Sequence, residues 1–285
     1  MSRNRDRLGN PSPQNAAAPS QPQTQNHGFS FVVPTEFVEL PSKGRFYSPE
    51  HPLYNKDTIE IKQMTAREED MLTSRSLLKK GIALDRVLES VIVDKSINPI
   101  TLLVGDRNAL IIAMRVSGYG NIYETQISCP ACSAKQKYQF DLNETEVFSG
   151  KSEVDNSIKE MDNGLFSTVL PKTSVDVVFR LLNGGDEKRV SEQIEASRKR
   201  NRDENLVTTQ LRNLIVSVNG DQTAAAINYV VENIPSMDAR HLRLAYKLTA
   251  PDLDMHHHFN CSSCDHEQEL EVPLTADFFW PDRRI

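Results

Sequence analysis

Apolar residues take every second position in two distant stretches of the chain: Tyr138, Phe140 and Leu142 in one, Leu270, Val272 and Leu274 in the other. That period predicts a half-buried strand in each. Each strand follows a Cys-x-x-Cys pair, in Ile127-Ser-Cys-Pro-Ala-Cys132 and in Phe259-Asn-Cys-Ser-Ser-Cys264, so each pair is predicted to form the turn of a hairpin. Further upstream, Phe29 to Leu40 is an extended apolar approach, and Pro41, Gly44 and Pro49 impose turns on the segment after it. Ile59 and Ile61 alternate with charged residues in a predicted strand from Thr58 to Gln63. The period then changes to helical. Thr65 reads as an N-cap, with Glu68 closing a capping box over a helix through Leu72. Leu84, Val87, Leu88, Val91 and Ile92 mark one face of a helix from Leu84 to Val93, and another helix is predicted from Asp106 to Gly118.

The same plan returns in the second half. Val175 to Leu182 stands where Thr58 to Met64 stood, and Asn183-Gly-Gly-Asp186 turns into a polar helix from about Glu187 to Arg202. Leu206 to Val218 mirrors Leu84 to Val93 as a helix with Leu211, Leu214, Ile215 and Val218 on its stripe, and Asp238 opens the last helix, which Pro251 bounds. Superposing the two Cys-x-x-Cys pairs aligns their surroundings without a gap. Gln136 falls on Gln268, Tyr138 on Leu270, Phe140 on Val272, Leu142 on Leu274 and Phe148 on Trp280; upstream, Asp106 falls on Asp238, Leu110 on Leu242, Arg115 on Lys247 and Ile127 on Phe259. The predicted fold is therefore α+β, two tandem duplicated lobes whose zinc-ribbon-like hairpins close on one shared site. The first lobe spans residues 30–155 and the second 156–285.

Composition adds a third region. Residues 1–29 are rich in Asn, Gln, Pro, Ser and Ala and lack the apolar residues that offset the entropy of ordering, which predicts a disordered N-terminal arm. No apolar run reaches the roughly 18 residues of a membrane span, and no signal-peptide core precedes the fold, so a soluble intracellular protein is expected. A net charge of −6 argues against a protein that grips phosphates. Lys188, Arg189, Arg198, Lys199, Arg200 and Arg202 concentrate in the polar helix, but Glu187, Glu192 and Glu195 interrupt them, as on a solvated face.

All four cysteines lie in the two pairs, which fits metal binding in a reducing compartment. Cys129, Cys132, Cys261 and Cys264 are the predicted ligands of one structural Zn2+, since four thiolates fill a tetrahedral shell. His256, His257 and His258 precede the second pair and His266 follows it, but the first three fall opposite Glu124, Thr125 and Gln126, which disfavours a mixed site. Two disulfides, or four merely buried thiols, are the competing readings. A filled shell leaves no place for an activated water, and no phosphate loop, nucleophile elbow or His-Glu-x-x-His helix appears, so no enzyme is predicted. A zinc-ribbon nucleic-acid-binding protein is the alternative. Lys135 and Lys137 fall on Glu267 and Glu269, and a pseudo-two-fold at the metal predicts that these charges face one another.

Three segments together resemble the baseplate hub proteins of T4-like contractile-tailed bacteriophages: Leu40-Pro-Ser-Lys-Gly44 followed by Tyr47, Met64-Thr-Ala-Arg-Glu-Glu-Asp70, and the Cys129-Pro-Ala-Cys132 knuckle. The resemblance is clearest from Val38 to Leu142. It implies a structural or assembly role in the virion tail baseplate, assembled in the host cytoplasm, with other hub, wedge or tail-tube proteins as partners. It implies no small-molecule substrate and no membrane.

Overall fold

The computed structural model describes residues 32–150, 157–199, 205–273 and 276–279. The apolar approach becomes strand β1 (Thr35–Glu39), paired antiparallel with β2 (Thr58–Lys62) so that Val38 lies opposite Ile59. Helix α1 (Ala66–Thr73) starts at the expected capping box, in which the Thr65 hydroxyl accepts from Arg67 and the Glu68 carboxylate accepts from the Thr65 N–H at 2.9 Å. A short α2 (Arg75–Lys79) leads to α3 (Ala83–Val91), which buries Val87, Leu88 and Val91. The long α4 (Val104–Tyr119) crosses the centre and delivers the chain to the hairpin of β3 (Ile122–Ser128) and β4 (Lys135–Asp141). Strand β5 (Glu146–Phe148) follows.

The second half runs through β6 (Ile158–Glu160), β7 (Leu165–Val169) and β8 (Asp176–Arg180) to α5 (Gly184–Lys199) and α6 (Leu206–Leu214). Strand β9 (Ile215–Val218) then completes a four-stranded sheet of order β6-β7-β8-β9. The segment from Leu206 to Val218 is thus not one helix. Its last four residues, Ile-Val-Ser-Val, are mostly β-branched and pair along the open edge of β8, which outweighs a helical stripe that serves either structure. Helix α7 (Ala224–Asn233), capped by Thr223, has no predicted counterpart; α8 (Ser236–Thr249), β10 (Asp252–Asp254), and the hairpin of β11 (His256–Asn260) with β12 (Glu267–Glu271) close the chain. Helix α5 begins earlier than the sequence suggests, and Arg200 and Arg202 lie outside the described residues. So do the N-terminal arm, the boundary expected at 155/156, Leu274 and Trp280.

Two buried acidic contacts occur once in each half. Asp106, at the head of α4, accepts from the Ser42 N–H at 2.9 Å, the Ser42 hydroxyl at 2.6 Å and the Tyr47 phenol at 2.7 Å; burial pushes this carboxyl and this phenol up. Asp238, at the head of α8, accepts from the N–H groups of Lys172 and Thr173 and from the Thr173 hydroxyl. Each acid holds a Leu-Pro turn, Leu40-Pro41 in one half and Leu170-Pro171 in the other. Glu68 likewise pairs with Lys62 at 3.2 Å, and Asp186 with Arg180 at 2.6 Å, in both cases an acid in a helix's first turn against the end of the preceding strand.

From Pro34 onward the chain is one compact unit, and its main apolar core draws on both halves, including Leu40, Val87, Leu110, Phe140, Phe179, Leu214, Leu242 and Phe278. Burial of side chains this size contributes about 1.5–3 kcal/mol each, so the core is the principal bond between the halves. Strand β10 pairs with β5 across them, and Gly105 of α4 sits so close to the Pro251 carbonyl that a Cβ would collide with it. The fully buried Arg115 ties Phe278 to the turn between α4 and β3, its guanidinium donating to the carbonyls of Phe278, Gly120 and Ile122 at 2.8, 2.6 and 3.0 Å. Phe278 and Phe279 are core residues, with Phe278 edge-on to Tyr123 at 5.1 Å. Among the described residues no helix is long and apolar enough to cross a membrane.

Candidate metal centre

Each Cys-x-x-Cys pair sits in the same kind of turn. In the first, the Cys129 N–H donates to Ala134 and the Ser133 N–H donates back to Cys129; in the second, the Cys261 N–H donates to His266 and the Asp265 N–H to Cys261. Ser133 and Asp265 both adopt left-handed backbone, φ 60° and 52°, which sharpens the loop enough to bring its two sulfurs to one side.

The hairpins stand thiol to thiol. Cys129 Sγ lies 3.7 Å from Cys264 Sγ, Cys132 Sγ lies 3.7 Å from Cys261 Sγ, and all four sulfurs fall within 4.8 Å of one another. A disulfide requires about 2.05 Å, and all four thiols are free. A tetrahedron with metal–sulfur bonds of about 2.3 Å has edges of about 3.8 Å, so the donor set matches a four-thiolate ion in both chemistry and spacing. Cys129 and Cys261 are buried while Cys132 and Cys264 are exposed, which places the cluster at the surface with one ligand of each pair anchored inside.

Charge explains why such a cluster calls for a cation. The Ser263 N–H, 3.5 Å from Cys261 Sγ, leads the hydrogen bonds that hold that thiol down at about 7. At Cys264 the His266 backbone favours the thiolate, but hydrogen bonds shared with Cys132 and the other thiols, with burial, outweigh it and push this thiol up to about 12. Ionising one thiol therefore disfavours ionising the next, an opposition that a bound cation would relieve.

A second ring of contacts joins the hairpins. The Gln136 amide on β4 donates to the Asn260 carbonyl at 3.0 Å, and its oxygen accepts from the Ser262 N–H at 3.0 Å and hydroxyl at 3.1 Å, inside the opposite Cys-x-x-Cys turn. The Tyr138 phenol donates to the His258 carbonyl at 2.7 Å, and its ring packs against Phe259. Sequence superposition set Gln136 on Gln268 but gave no sign of this grip, because a polar residue at the end of the half-buried strand face does not reveal which partner it meets.

The side chains of the neighbouring histidines are not part of the thiol cluster. His256 pairs with Asp254 at 2.6 Å, His257 packs on Phe140, and His258 approaches Glu267 at 3.9 Å. Among the described residues no other group of His, Cys, Asp and Glu converges as the four cysteines do. The expected facing charges are not paired either: Lys137 bridges to Glu124 across its own hairpin at 2.7 Å, and among the described residues no ion pair joins Lys135 or Lys137 to Glu267 or Glu269. Cross-strand partners within a hairpin are nearer than anything on the other one. On α5 the basic residues are laced with acids, Arg189 to Asp186 and Lys199 to Glu195.

The fold is a mixed helix and sheet one in which four cysteines converge between two hairpins. The T4 bacteriophage base plate protein family matches residues 33–280, and the chain belongs to that family. No curated protein and no solved structure matches it. As a member it is a structural component of a phage base plate, located in the virion tail among other base plate or tail components.

Proposed function

We propose that the chain is a zinc-stabilised protein–protein scaffold of the base plate hub, built from two lobes that descend from one duplicated ancestor. The observation that carries the metal is the pair of 3.7 Å sulfur separations linking Cys129 to Cys264 and Cys132 to Cys261. Zn2+ at this position supplies four sulfur bonds and no reaction, cross-linking the two hairpins through all four cysteines. The duplication is supported by the repeated Leu-Pro turns held by Asp106 and Asp238, and by the repeated pairs Lys62–Glu68 and Arg180–Asp186. The scaffold role rests on the family match over residues 33–280.

Elemental analysis of freshly purified, reduced protein is expected to find one zinc per chain, and Cys261→Ser or Cys132→Ser to lose it. Finding no metal in the unmodified chain would sink the zinc reading. Electron microscopy of assembled tails is expected to place the chain at the central hub; a peripheral position would reject the hub while leaving the base plate component intact.

A further inference from the structure

We propose that the free edge of β1 receives an extended, basic segment of another base plate protein, which adds as a third strand to the β1–β2 sheet. The inference rests on the base plate reading and goes beyond it by naming a docking surface and the chemistry of its occupant.

The two halves differ at one edge. Aligning Leu40-Pro41 with Leu170-Pro171 sets β1 on β7 and Phe37 on Ser167. Strand β7 is covered on its outer side by β6, with Ile158 opposite Thr168, Lys159 opposite Ser167 and Glu160 opposite Phe166. Among the described residues strand β1 has only β2. The bonds from the Leu40 N–H to Asp57 and from the Gln63 N–H to Pro34 turn the even-numbered backbone groups of β1 toward β2, so those of Thr35, Phe37 and Glu39 point outward. Among the described residues none of these outward groups has a hydrogen-bond partner. An uncovered row of this kind is a template for strand addition.

Side chains along the edge select the occupant. Phe37 is 70% exposed in mid-strand, an aromatic ring with little to pack on. On the opposite face Glu36 carries a buried carboxylate oxygen that has no hydrogen-bond partner. Glu39 is exposed on the same face as Phe37. A buried carboxylate oxygen left unpaired is costly, and a lysine or arginine on the incoming strand satisfies it. The matching segment therefore carries a basic residue facing Glu36 on one face and, on the other, an apolar residue facing Phe37 next to a basic one facing Glu39.

The tight turn that leads into β7 in the second half is not available at the residues directly before β1. There the turn from β6 into β7 passes through Asn163 at φ 59° and Gly164 at φ 69°. The residues that align with them are Val33 and Pro34. A proline ring fixes φ near −65°, at about the opposite sign, and a β-branched valine resists left-handed backbone.

The test is to replace Phe37 by photoreactive p-benzoylphenylalanine in the full chain and irradiate tails and tail-assembly precursors from infected cells. A cross-link to a Lys- or Arg-bearing extended segment of a different base plate protein is expected. Phe37→Pro removes an outward N–H without touching the β1–β2 ladder, and Phe37→Lys sets a cation against a basic strand. Both are expected to keep the thermal unfolding of the parent and to lose incorporation into tails. A cross-link to the chain's own residues 1–31, to a second copy or to nothing overturns the proposal, as does normal incorporation of both variants. If the chain is absent from tails and precursors altogether, the base plate reading fails first; if it is present but cross-links only to itself, only the open edge is refuted.

Discussion

Two buried acids show how far single residues can be read from sequence. Glu68 was legible as a capping-box residue because the Thr-x-x-Glu spacing states the contact outright. Its second partner, the Ser90 hydroxyl at 2.5 Å, and its pairing with Lys62 were not, since they join helices and strands that only the fold brings together. Burial alone raises the Glu68 carboxyl, but the hydrogen bonds from Ser90, Thr65 and Lys62 outweigh it and hold the group at about 2, against an ordinary value of 4.5. A folded-state value below the unfolded one gives stability that is complete above about pH 4.5 and is lost as the pH falls toward 2. Glu68→Gln is therefore expected to lower the neutral-pH unfolding free energy by about 1–3 kcal/mol. Its urea midpoint should also fall less steeply than that of the parent between those pH values. Asp186, held low against burial chiefly by Arg180, should behave alike on substitution by Asn; parallel slopes for variant and parent would reject both assignments.

At the scale of elements, the hairpins carrying Cys-x-x-Cys were the most legible part of the chain, because a period of two on either side of a paired-cysteine turn leaves little choice of structure. Helices α1, α3, α4 and α8 were found for the same kind of reason. Strand β9 was missed because Ile215 and Val218 extend the helical stripe of Leu211 and Leu214, and only the vacant edge of β8 decides between the two. Helix α7 was missed because its single strongly buried residue, Val231, leaves almost no amphipathic trace. The grip of Gln136 on the second knuckle predicts a measurable effect. Gln136→Ala removes three hydrogen bonds around Ser262 and Asn260, and loss of such outer-shell support typically weakens metal affinity about 10–100-fold. Competition with a chromophoric chelator under reducing conditions measures it, and unchanged affinity would show that Gln136 is only a surface contact.

For the whole molecule, the sequence pointed to the metal as the joint between lobes, whereas one apolar core already runs through both halves. That division of labour makes a specific prediction. Chelation of the reduced protein should lower Tm by about 10 °C or more, since a ligand held only by the folded state stabilises it by mass action. Far-UV circular dichroism at room temperature should nevertheless change little, because the helices sit in the core and not at the thiols. Collapse of the helical signal on chelation would return the metal to the central role. The two turns that face each other there are not interchangeable. Superposition sets Pro130 where the second knuckle has Ser262, and a proline has no N–H for a glutamine from the other side to hold. The ribosome delivers the hairpin bearing Gln136 long before the one that Gln136 holds. The earlier hairpin is thus the jig and the later one the workpiece, and the order of synthesis is also the order in which the clasp is made ready and then shut.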